Sequence, residues 1–228
     1  MAERDFPIPH PHTFPGTFLV IDGIDGCGKS VQVKLLKEKL ERRSSLPIIL
    51  TKEPNIDKVY GREIYDDLKI LGGLHTRDPI GFQSWYAINS RVNLKDIIIP
   101  ALQNGHTVIS DRFRSSMVYG AKNIEDIKIL LRNNEMFLWD FFIRPDATFI
   151  LDIPVKTAME RLKAKGLDFD EFEKEKFLKT VKENFLLYAK MIPGCGVINA
   201  EKAPEHVCKE IDRSIPIVMN KPLGLVRI

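Results

Sequence analysis

One glycine-rich octapeptide constrains this chain more than any other part of its sequence. Residues 23–30 read GIDGCGKS, which satisfies the pattern G-x-x-x-x-G-K-[S/T] at every required position. An apolar, β-branched run precedes the octapeptide at residues 17–22, and apolar residues at helical spacing follow it, for example Val33, Leu36 and Leu40. A strand, a glycine-rich turn and a helix in this order can surround phosphate oxygens with backbone N–H groups. The chain is therefore expected to bind a nucleotide.

The residues of this loop have expected parts in binding ATP and Mg²⁺. Lys29 would bring a positive charge to the β- and γ-phosphates, and Ser30 would offer its hydroxyl to Mg²⁺. The alternative is a glycine-rich turn without a ligand. Cys27 is expected to fill a position for a small side chain and not to react as a thiol. The nucleotide site is expected to contain Gly23, Ile24, Asp25, Gly26, Cys27, Gly28, Lys29, Ser30 and Val31.

Short apolar runs alternate with longer helical patterns along the rest of the chain. Strands are predicted at residues 17–22, 47–51, 106–110, 147–152 and 197–200, and helices at residues 30–43, 80–104, 155–165 and 171–190. Parallel strands need crossover connections, so this alternation predicts an α/β fold in three layers, with a five-stranded parallel sheet flanked by helices. We expect an extended leader at residues 1–16, one domain at 17–215 and a tail at 216–228.

Charge and cysteine content indicate which partners and which cellular compartment to expect. The 34 basic and 31 acidic residues give a net charge of +3, which does not indicate a nucleic-acid partner. The apolar stretches are too short and too polar to cross a membrane. Cys27, Cys195 and Cys208 match neither a disulfide framework nor a zinc site, so we expect a reducing cytoplasm. His10 and His12 lie in a proline-rich leader and are expected to be solvated.

Four segments, in matching order, resemble the thymidylate kinase family. GIDGCGKSVQ resembles the family's phosphate loop, TKEP at residues 51–54 its T-R-E-P strand end, and SDRF at residues 110–113 its D-R-[Y/F] motif. RPDATFILDIPVKTAMERLKAKG at residues 144–166 is similar to its fourth strand and the helix leading to the lid. The resemblance implies a P-loop kinase fold with a short lid at about residues 163–173, ATP-dependent phosphorylation of dTMP to dTDP, and a plausible homodimer.

Acidic and basic side chains follow the second and third predicted strands. Asp111 and Arg112 stand at the carboxyl edge of the sheet, where doubly wound folds bind ligands. Asp111 is expected to hold a Mg²⁺-bound water and Arg112 to bind the acceptor phosphate, the alternative being a surface ion pair. By resemblance, Asp25 would bind the acceptor's sugar hydroxyl or the metal shell, and Glu53 and Pro54 would shape the same pocket.

A predicted helix carries aromatic and polar side chains that could bind the acceptor base. Its segment FQSWYAINSR covers residues 82–91. Counting back from Pro100, which matches a helix-ending proline of the family, Tyr86 takes the base-stacking position. Ser90 then falls where the family has an arginine, and Arg91 comes one residue late, a rotation of about 100° around a helix. The alternative is that Trp85 and Tyr86 are core residues.

Further acceptor contacts match the family only approximately. Lys52 replaces the arginine of T-R-E-P and keeps its charge without the planar fork. Ser116 and Tyr119 follow the D-R-F motif near the family's serine and tyrosine. The expected acceptor-binding residues are Lys52, Glu53, Pro54, Tyr86, Arg91, Arg112, Ser116 and Tyr119.

Transfer of a phosphoryl group also needs positive charge near the transferred phosphate. The loop at residues 23–30 contains no arginine, so the charge is expected from Arg161, Lys163 and Lys165, at the place of the family's arginine-bearing lid. Glu171 stands near the position of a later lid arginine. The alternative is a solvated helix end whose basic residues favour the helix dipole. The expected catalytic residues are Asp25, Lys29, Arg112, Arg161, Lys163 and Lys165.

Two other functions remain open at this point. FQSWYA and TKEP also resemble motifs of deoxynucleoside kinases, although those enzymes usually carry Glu-Arg-Ser where this chain has SDRF. A switch-type nucleotide-binding protein would need a guanine-selecting N-K-x-D element. Asn220 and Lys221 do not provide one, because Pro222 and Leu223 follow them.

Overall fold

A parallel sheet forms the centre of the computed structural model, which describes residues 5–166 and 171–219. Its five strands lie in the order β3-β4-β2-β6-β7, and all neighbouring pairs are parallel. The strands of the described chain are β1 (His10–Pro11), β2 (Thr17–Gly23), β3 (Ile48–Lys52), β4 (Thr107–Asp111), β5 (Ile143–Arg144), β6 (Ala147–Asp152) and β7 (Cys195–Asn199). The predicted α/β class and the five-stranded sheet are confirmed, and each strand bound lies within two residues of its prediction.

Helices cover both faces of the sheet. They are α1 (Lys29–Glu41), α2 (Gly61–Asp67), α3 (Leu74–Arg77), α4 (Pro79–Asn93), α5 (Ile99–Gln103), α6 (Ile124–Leu138), α7 (Val155–Lys163), α8 (Glu171–Met191) and α9 (Pro204–Met219). A π-helical turn, Leu94–Ile98, joins α4 to α5, so the helix predicted at 80–104 has three consecutive parts. Pro100 lacks the N–H that a regular helix would use, which favours a break at this point.

The central strand separates two buried clusters. Leu19 and Ile21 of β2 belong to the larger cluster, together with Leu36 of α1. Phe18 and Val20 belong to the smaller cluster, which packs beneath α5 and the π-helical turn. Alternate side chains of a strand point to opposite faces, so a strand buried on both sides reads as a continuous apolar run. The FLVI run thereby positions the loop that follows it between two packed layers.

Four helices of the described chain, α2, α3, α6 and α9, were not predicted from the sequence. The helix α6 buries Ile127, Leu130, Leu131 and Leu138 along one face. The helix α9 continues past residue 215, where the predicted domain ends. No helix in the described ranges is long and apolar enough to span a membrane.

The N-terminal leader is attached to the domain through specific contacts. The short strand β1 pairs in parallel with β5, and the His10 N–H donates to the Phe142 carbonyl at 2.9 Å. His12 Nε2 lies 2.9 Å from Asp146 Oδ2, and the His12 side chain is 1% exposed. His12 is therefore a buried partner of a carboxylate, whereas the sequence suggested a solvated residue. Asp146 also accepts a hydrogen bond from the Phe18 N–H at 2.9 Å, which ties the leader to the central strand.

Candidate active site

A cleft of about 520 Å³ opens at the carboxyl edge of the sheet. It lies beside β2, from which β3 and β4 extend in one direction and β6 and β7 in the other. Such a reversal of strand order is the usual ligand site of doubly wound sheets. The cleft is lined by Asp25, Gly26, Gly28, Lys29, Ser30, Val31, Lys52, Leu68, Asp111, Arg112, Leu162, Lys165 and Lys174.

The loop after β2 depends on glycine at its tightest points. Gly26 and Gly28 have φ values of 83° and 102°, in the left-handed region that side chains with a Cβ disfavour. Gly26 meets a second restriction, because a Cβ there would lie 2.5 Å from the Ala158 carbonyl oxygen of α7. The loop thus packs directly against α7, and its concave side remains open for a ligand.

Lys29 is the buried cation of this loop. Its Nζ donates to the carbonyls of Gly23 and Ile24 at 2.9 Å each and lies 3.8 Å from Cys27 Sγ. These partners are neutral, and within the described residues no carboxylate forms an ion pair with it. A buried charge without a paired charge is costly, so an anion such as a phosphate fits here. Burial raises the pKa of the Cys27 thiol, which disfavours the reactive thiolate.

Ser30 and Asp111 place two oxygen ligands side by side. Ser30 Oγ donates to Asp111 Oδ2 at 2.6 Å, and both residues line the cleft. Oxygen ligands suit Mg²⁺, which commonly takes one or two protein ligands and completes its shell with phosphate oxygens and water. Across residues 5–166 and 171–219, no cluster of three or more His, Cys, Asp or Glu residues could hold a metal alone. The pair therefore fits a Mg²⁺ ion that arrives with a nucleotide.

Arg112 occupies the centre of the site. Its Nη2 donates to Asp25 Oδ1, and its Nη1 lies 3.7 Å from Asp22 Oδ1 and 3.3 Å from Ser116 Oγ. The guanidinium carbon stands 5.2 Å from the centre of the Tyr119 ring. The Arg112 side chain is 18% exposed, so this group is a held guanidinium at the cleft and not a surface ion pair.

Asp22 positions Arg112 from below the cleft. Its side chain is fully buried and accepts hydrogen bonds from Ser115 Oγ at 2.6 Å and from the Gly23 N–H at 2.8 Å. Burial raises the pKa of Asp22, an effect that the charge of Arg112 opposes. Asp22 was not among the expected site residues. An acidic residue ending a wholly apolar strand was the available signal.

Asp25 is shared by two cations. One carboxylate oxygen pairs with Arg112, and the other lies 3.6 Å from Lys174 Nζ. Burial raises the pKa of Asp25, but Arg112, Lys29 and Lys174 outweigh burial and hold the pKa well below its ordinary value. Asp25 is therefore charged at neutral pH. Lys174 was not predicted, because a lysine in the run EFEKEKF looks like part of a solvated helix face.

Glu53 forms a buried polar contact on the acceptor side. Ser90 Oγ lies 2.8 Å from both Glu53 carboxylate oxygens, and Asn93 Nδ2 donates to one of them at 3.3 Å. Burial raises the pKa of Glu53 to about 7, against the opposing effect of these hydrogen bonds. Ser90 stands where the resemblance implies an arginine, and here it binds a carboxylate of the chain itself.

Arg91 lies away from this contact. Its Nη1 donates to the carbonyls of Phe137 and Leu138 at 3.2 and 2.9 Å, at the C-terminal end of α6. Its guanidinium carbon lies 4.9 Å from the centre of the Phe141 ring. The offset of one helical position thus directs Arg91 towards α6, and the structure does not bring it together with the other expected acceptor residues.

The aromatic residues of α4 contact one another and Tyr60, the residue before α2. The Tyr86 ring meets the Phe82 ring edge-on at 5.5 Å, and burial raises the pKa of Tyr86. Trp85 stacks on Tyr60 at 5.6 Å with an interplanar angle of 6°. Trp85 is thus engaged by a neighbouring ring, whereas Tyr86 is partly buried.

Lys52 and Pro54 flank Glu53 at the end of β3. Lys52 lines the cleft, with its Nζ 5.8 Å from the centre of the Tyr65 ring. Pro54 is buried and follows Glu53 through a cis peptide bond. Lys52 thus brings the end of β3 to the cleft, and the Glu53 N–H donates to the Asp111 carbonyl at the end of β4 at 3.0 Å.

The expected lid cations occupy different positions. Arg161 Nη1 lies 3.5 Å from the carbonyls of Gly26 and Cys27, on the outer side of the loop. Lys165 lines the cleft, and Lys163 is exposed at the end of α7. Residues 167–170 of the expected lid lie outside the described residues.

Comparison with known proteins finds similar sequences over most of the chain. The family description "Thymidylate kinase" matches residues 21–211. A probable thymidylate kinase of Thermococcus gammatolerans is 36% identical over 208 residues, covering 86% of this chain and 94% of that relative. A probable thymidylate kinase of Pyrococcus horikoshii is 34% identical, covering 92% and 99%. A thymidylate kinase of Thermosipho melanesiensis is 32% identical, covering 89% and 99%.

The parallel sheet carries at one edge a phosphate loop with a buried lysine and an arginine held by ion pairs. These features define a nucleotide-binding phosphotransferase of the P-loop class. Within that class, the family match extends over residues 21–211, and the similar relatives are covered over nearly their whole length. The chain belongs to the thymidylate kinase family.

Proposed function

We propose that Lys29, Asp25 and Arg112 are the central groups of an ATP-dependent phosphorylation of dTMP. Conversion of dTMP to dTDP is the reaction of the thymidylate kinase family, to which this chain belongs. The assignment of roles rests on one observation above all. A phosphate-binding loop and a held guanidinium line the same cleft, so donor and acceptor phosphates can be bound side by side.

Donor binding is assigned to the loop after β2. Its backbone N–H groups and Lys29 bind the β- and γ-phosphates of ATP. Ser30 and Asp111 hold Mg²⁺, and Val31 borders the site. The metal supplies neutralisation of the charge on the phosphate oxygens when it is bound. Arg161 supports the loop from its outer side, where its donors face the loop carbonyls.

Acceptor binding is assigned to Arg112, which releases Asp25 in exchange for the dTMP phosphate. A phosphate oxygen of dTMP then attacks the γ-phosphorus, and the bond from that phosphorus to the bridging oxygen of ADP breaks. ADP keeps the bonding electron pair. The acceptor phosphate is largely a dianion at neutral pH, so no proton has to leave the attacking oxygen. Arg112 therefore orients the nucleophile and needs no partner base.

The base and sugar of dTMP are assigned to the surface between α4 and the TKEP segment. Tyr86 stacks on the thymine ring, and Pro54 closes the pocket above Glu53. Lys52, Ser116 and Tyr119 lie around the acceptor phosphate and Arg112. Arg91 binds the C-terminal end of α6. Residues other than Arg91 therefore make the thymine contact that the family resemblance implies for an arginine.

A coupled assay of ADP release with a panel of acceptors tests the proposal. We expect the highest kcat/KM for dTMP, with thymidine and other nucleoside monophosphates at least tenfold lower. A preference for a nucleoside without phosphate would contradict the role of Arg112 and favour a deoxynucleoside kinase.

The remaining proposals concern the surroundings of the enzyme. We propose a cytoplasmic location, because Cys27, Cys195 and Cys208 are free thiols. We also propose a homodimer by analogy with the family, and no nucleic-acid partner. Light scattering tests the assembly, since a monomer has a mass of 26.1 kDa.

A further inference from the structure

We propose that Lys174 is a catalytic cation of this enzyme, which contacts the transferred phosphoryl group and is held ready by Asp25. The inference rests on the proposed function and deepens it by naming a residue that no sequence motif marks. Lys174 belongs to the first turns of α8 and lines the cleft.

The position of Lys174 is fixed by two contacts. Its Nζ lies 3.6 Å from Asp25 Oδ2 and 5.6 Å from the centre of the Phe177 ring. The side chain is 28% exposed, so its ammonium group is partly removed from water. A cation held in this way loses little freedom on binding a phosphate, which is the condition for efficient stabilisation of a transition state.

Asp25 connects this cation to the reacting groups. It lies within the phosphate loop, and its two carboxylate oxygens pair with Arg112 and Lys174. A single carboxylate thus gathers the proposed acceptor-binding cation and a cation from α8 at one point of the cleft. A γ-phosphoryl group carries more negative charge than a carboxylate and can take over Lys174 when the nucleotide binds.

The other cations near the loop are less suited to this task. The Arg161 donors face the carbonyls of Gly26, Cys27 and Ala200, each at 3.5 Å, so its guanidinium supports the loop from outside. Lys165 lines the cleft but is an exposed residue at the end of the helical segment. Lys174 is the most buried of the three cleft lysines outside the loop, since Lys52 and Lys165 are exposed.

The assisted step is the transfer described above. The acceptor oxygen forms a bond to the γ-phosphorus, the bond to the bridging oxygen breaks, and ADP leaves with the electron pair. Negative charge spreads over the oxygens of the transferred group, and the Lys174 ammonium stabilises it while keeping its own protons. The stabilisation is largest in the transition state, so it should affect kcat more than ATP binding.

Lys174→Ala, Lys174→Arg and the control Lys179→Ala test the inference. Lys179 lies on the same helix and forms a surface ion pair with Glu175, so its loss should change kcat less than twofold. We expect Lys174→Ala to lower kcat at least a hundredfold, and Lys174→Arg to retain a tenth or more of the wild-type value. Thermal unfolding checks that all variants remain folded.

Binding measurements give a readout that does not depend on turnover. Calorimetry should find the dissociation constant of a non-hydrolysable ATP analogue within threefold of wild type for Lys174→Ala. The affinity for ADP, aluminium fluoride and dTMP together, which imitates the transition state, should fall in proportion to kcat. A kcat within threefold of wild type, or a change confined to the KM for dTMP, would overturn the inference. Turnover of dTMP by the wild-type protein tests the proposed function separately, because the inference depends only on the ratio of variant to wild type.

Discussion

The proposed donor and acceptor sides of the cleft are built by different means. On the donor side, the loop at residues 23–30 matches the family pattern, and Lys29 and Ser30 lie as expected at the cleft. On the acceptor side, Ser90 binds Glu53 and Arg91 binds α6. The donor loop uses consecutive residues and backbone groups, so a short motif specifies it. The acceptor side uses side chains on a helix, where a shift of one residue changes the face by about 100°.

Loss of Lys29 should lower turnover more than any other substitution described below. It tests directly whether the loop after β2 binds the reacting phosphates. We expect Lys29→Ala to lower kcat roughly a thousandfold or more, because the ammonium stabilises charge on the transferred phosphate. Stopped-flow or coupled assays at saturating ATP and dTMP measure kcat, and circular dichroism verifies the fold. Turnover within a few-fold of wild type would mean that the loop does not bind the reacting phosphates.

Arg112→Ala tests an expected acceptor residue that ion pairs hold at the cleft. We expect kcat/KM for dTMP to fall between about a hundredfold and a thousandfold, since the guanidinium both binds and orients the acceptor phosphate. Steady-state kinetics at varied dTMP provide the value. Unchanged kinetics would reduce Arg112 to a structural partner of Asp25 and Asp22.

Glu53 should make stability depend on pH. Its pKa is raised from 4.5 to about 7, so the folded protein holds a proton that the unfolded chain releases in this range. Stability therefore falls as the pH rises from about 4.5 to 7, by up to about 3 kcal/mol, and the loss is constant above that range. Glu53→Gln removes this term, and urea titrations at pH 5 and pH 8 should show a flatter profile than wild type. Parallel profiles would place the Glu53 carboxylate in a more solvated setting.

Arg91→Ala should have the smallest effect on catalysis. This variant tests whether Arg91 supports α6 and takes no part in binding the acceptor. We expect kcat/KM for dTMP within threefold of wild type and a loss of about 1–2 kcal/mol in the free energy of unfolding, because α6 loses a charged donor at its C-terminal end. Kinetics and urea unfolding of the same preparation separate the two effects. A tenfold rise in the KM for dTMP would show that Arg91 reaches the base after all.

The sequence predicts those parts of the molecule that adjacent residues encode. The strand–loop–helix unit around Lys29 and the Asp111–Arg112 pair follow from local pattern and from the geometry of parallel sheets. Lys174 reaches the cleft only through the packing of α8, which is distant in sequence from Asp25. No local spacing reports such a contact.

The leader and the helix α6 show the same limit. The His12 ring is buried against the carboxylate of Asp146, which lies 134 residues away in the sequence. The helix α6 has apolar residues at helical spacing, but its packing against α4 joins segments that are distant in the sequence. Contacts over such distances are decided by the assembled fold and not by composition.

The close approach of Gly26 to α7 bears on how this enzyme could evolve. Every glycine codon becomes an arginine codon by one nucleotide change, so a loop arginine would be an accessible way to gain a catalytic cation. A Cβ at position 26 would collide with the Ala158 carbonyl oxygen, which belongs to the backbone and cannot move without the helix. Selection would therefore reject that change unless α7 had shifted earlier. The order of mutations is therefore constrained. A lineage in which Gly26 packs against α7 is expected to keep its catalytic cation on α8 or at the end of α7.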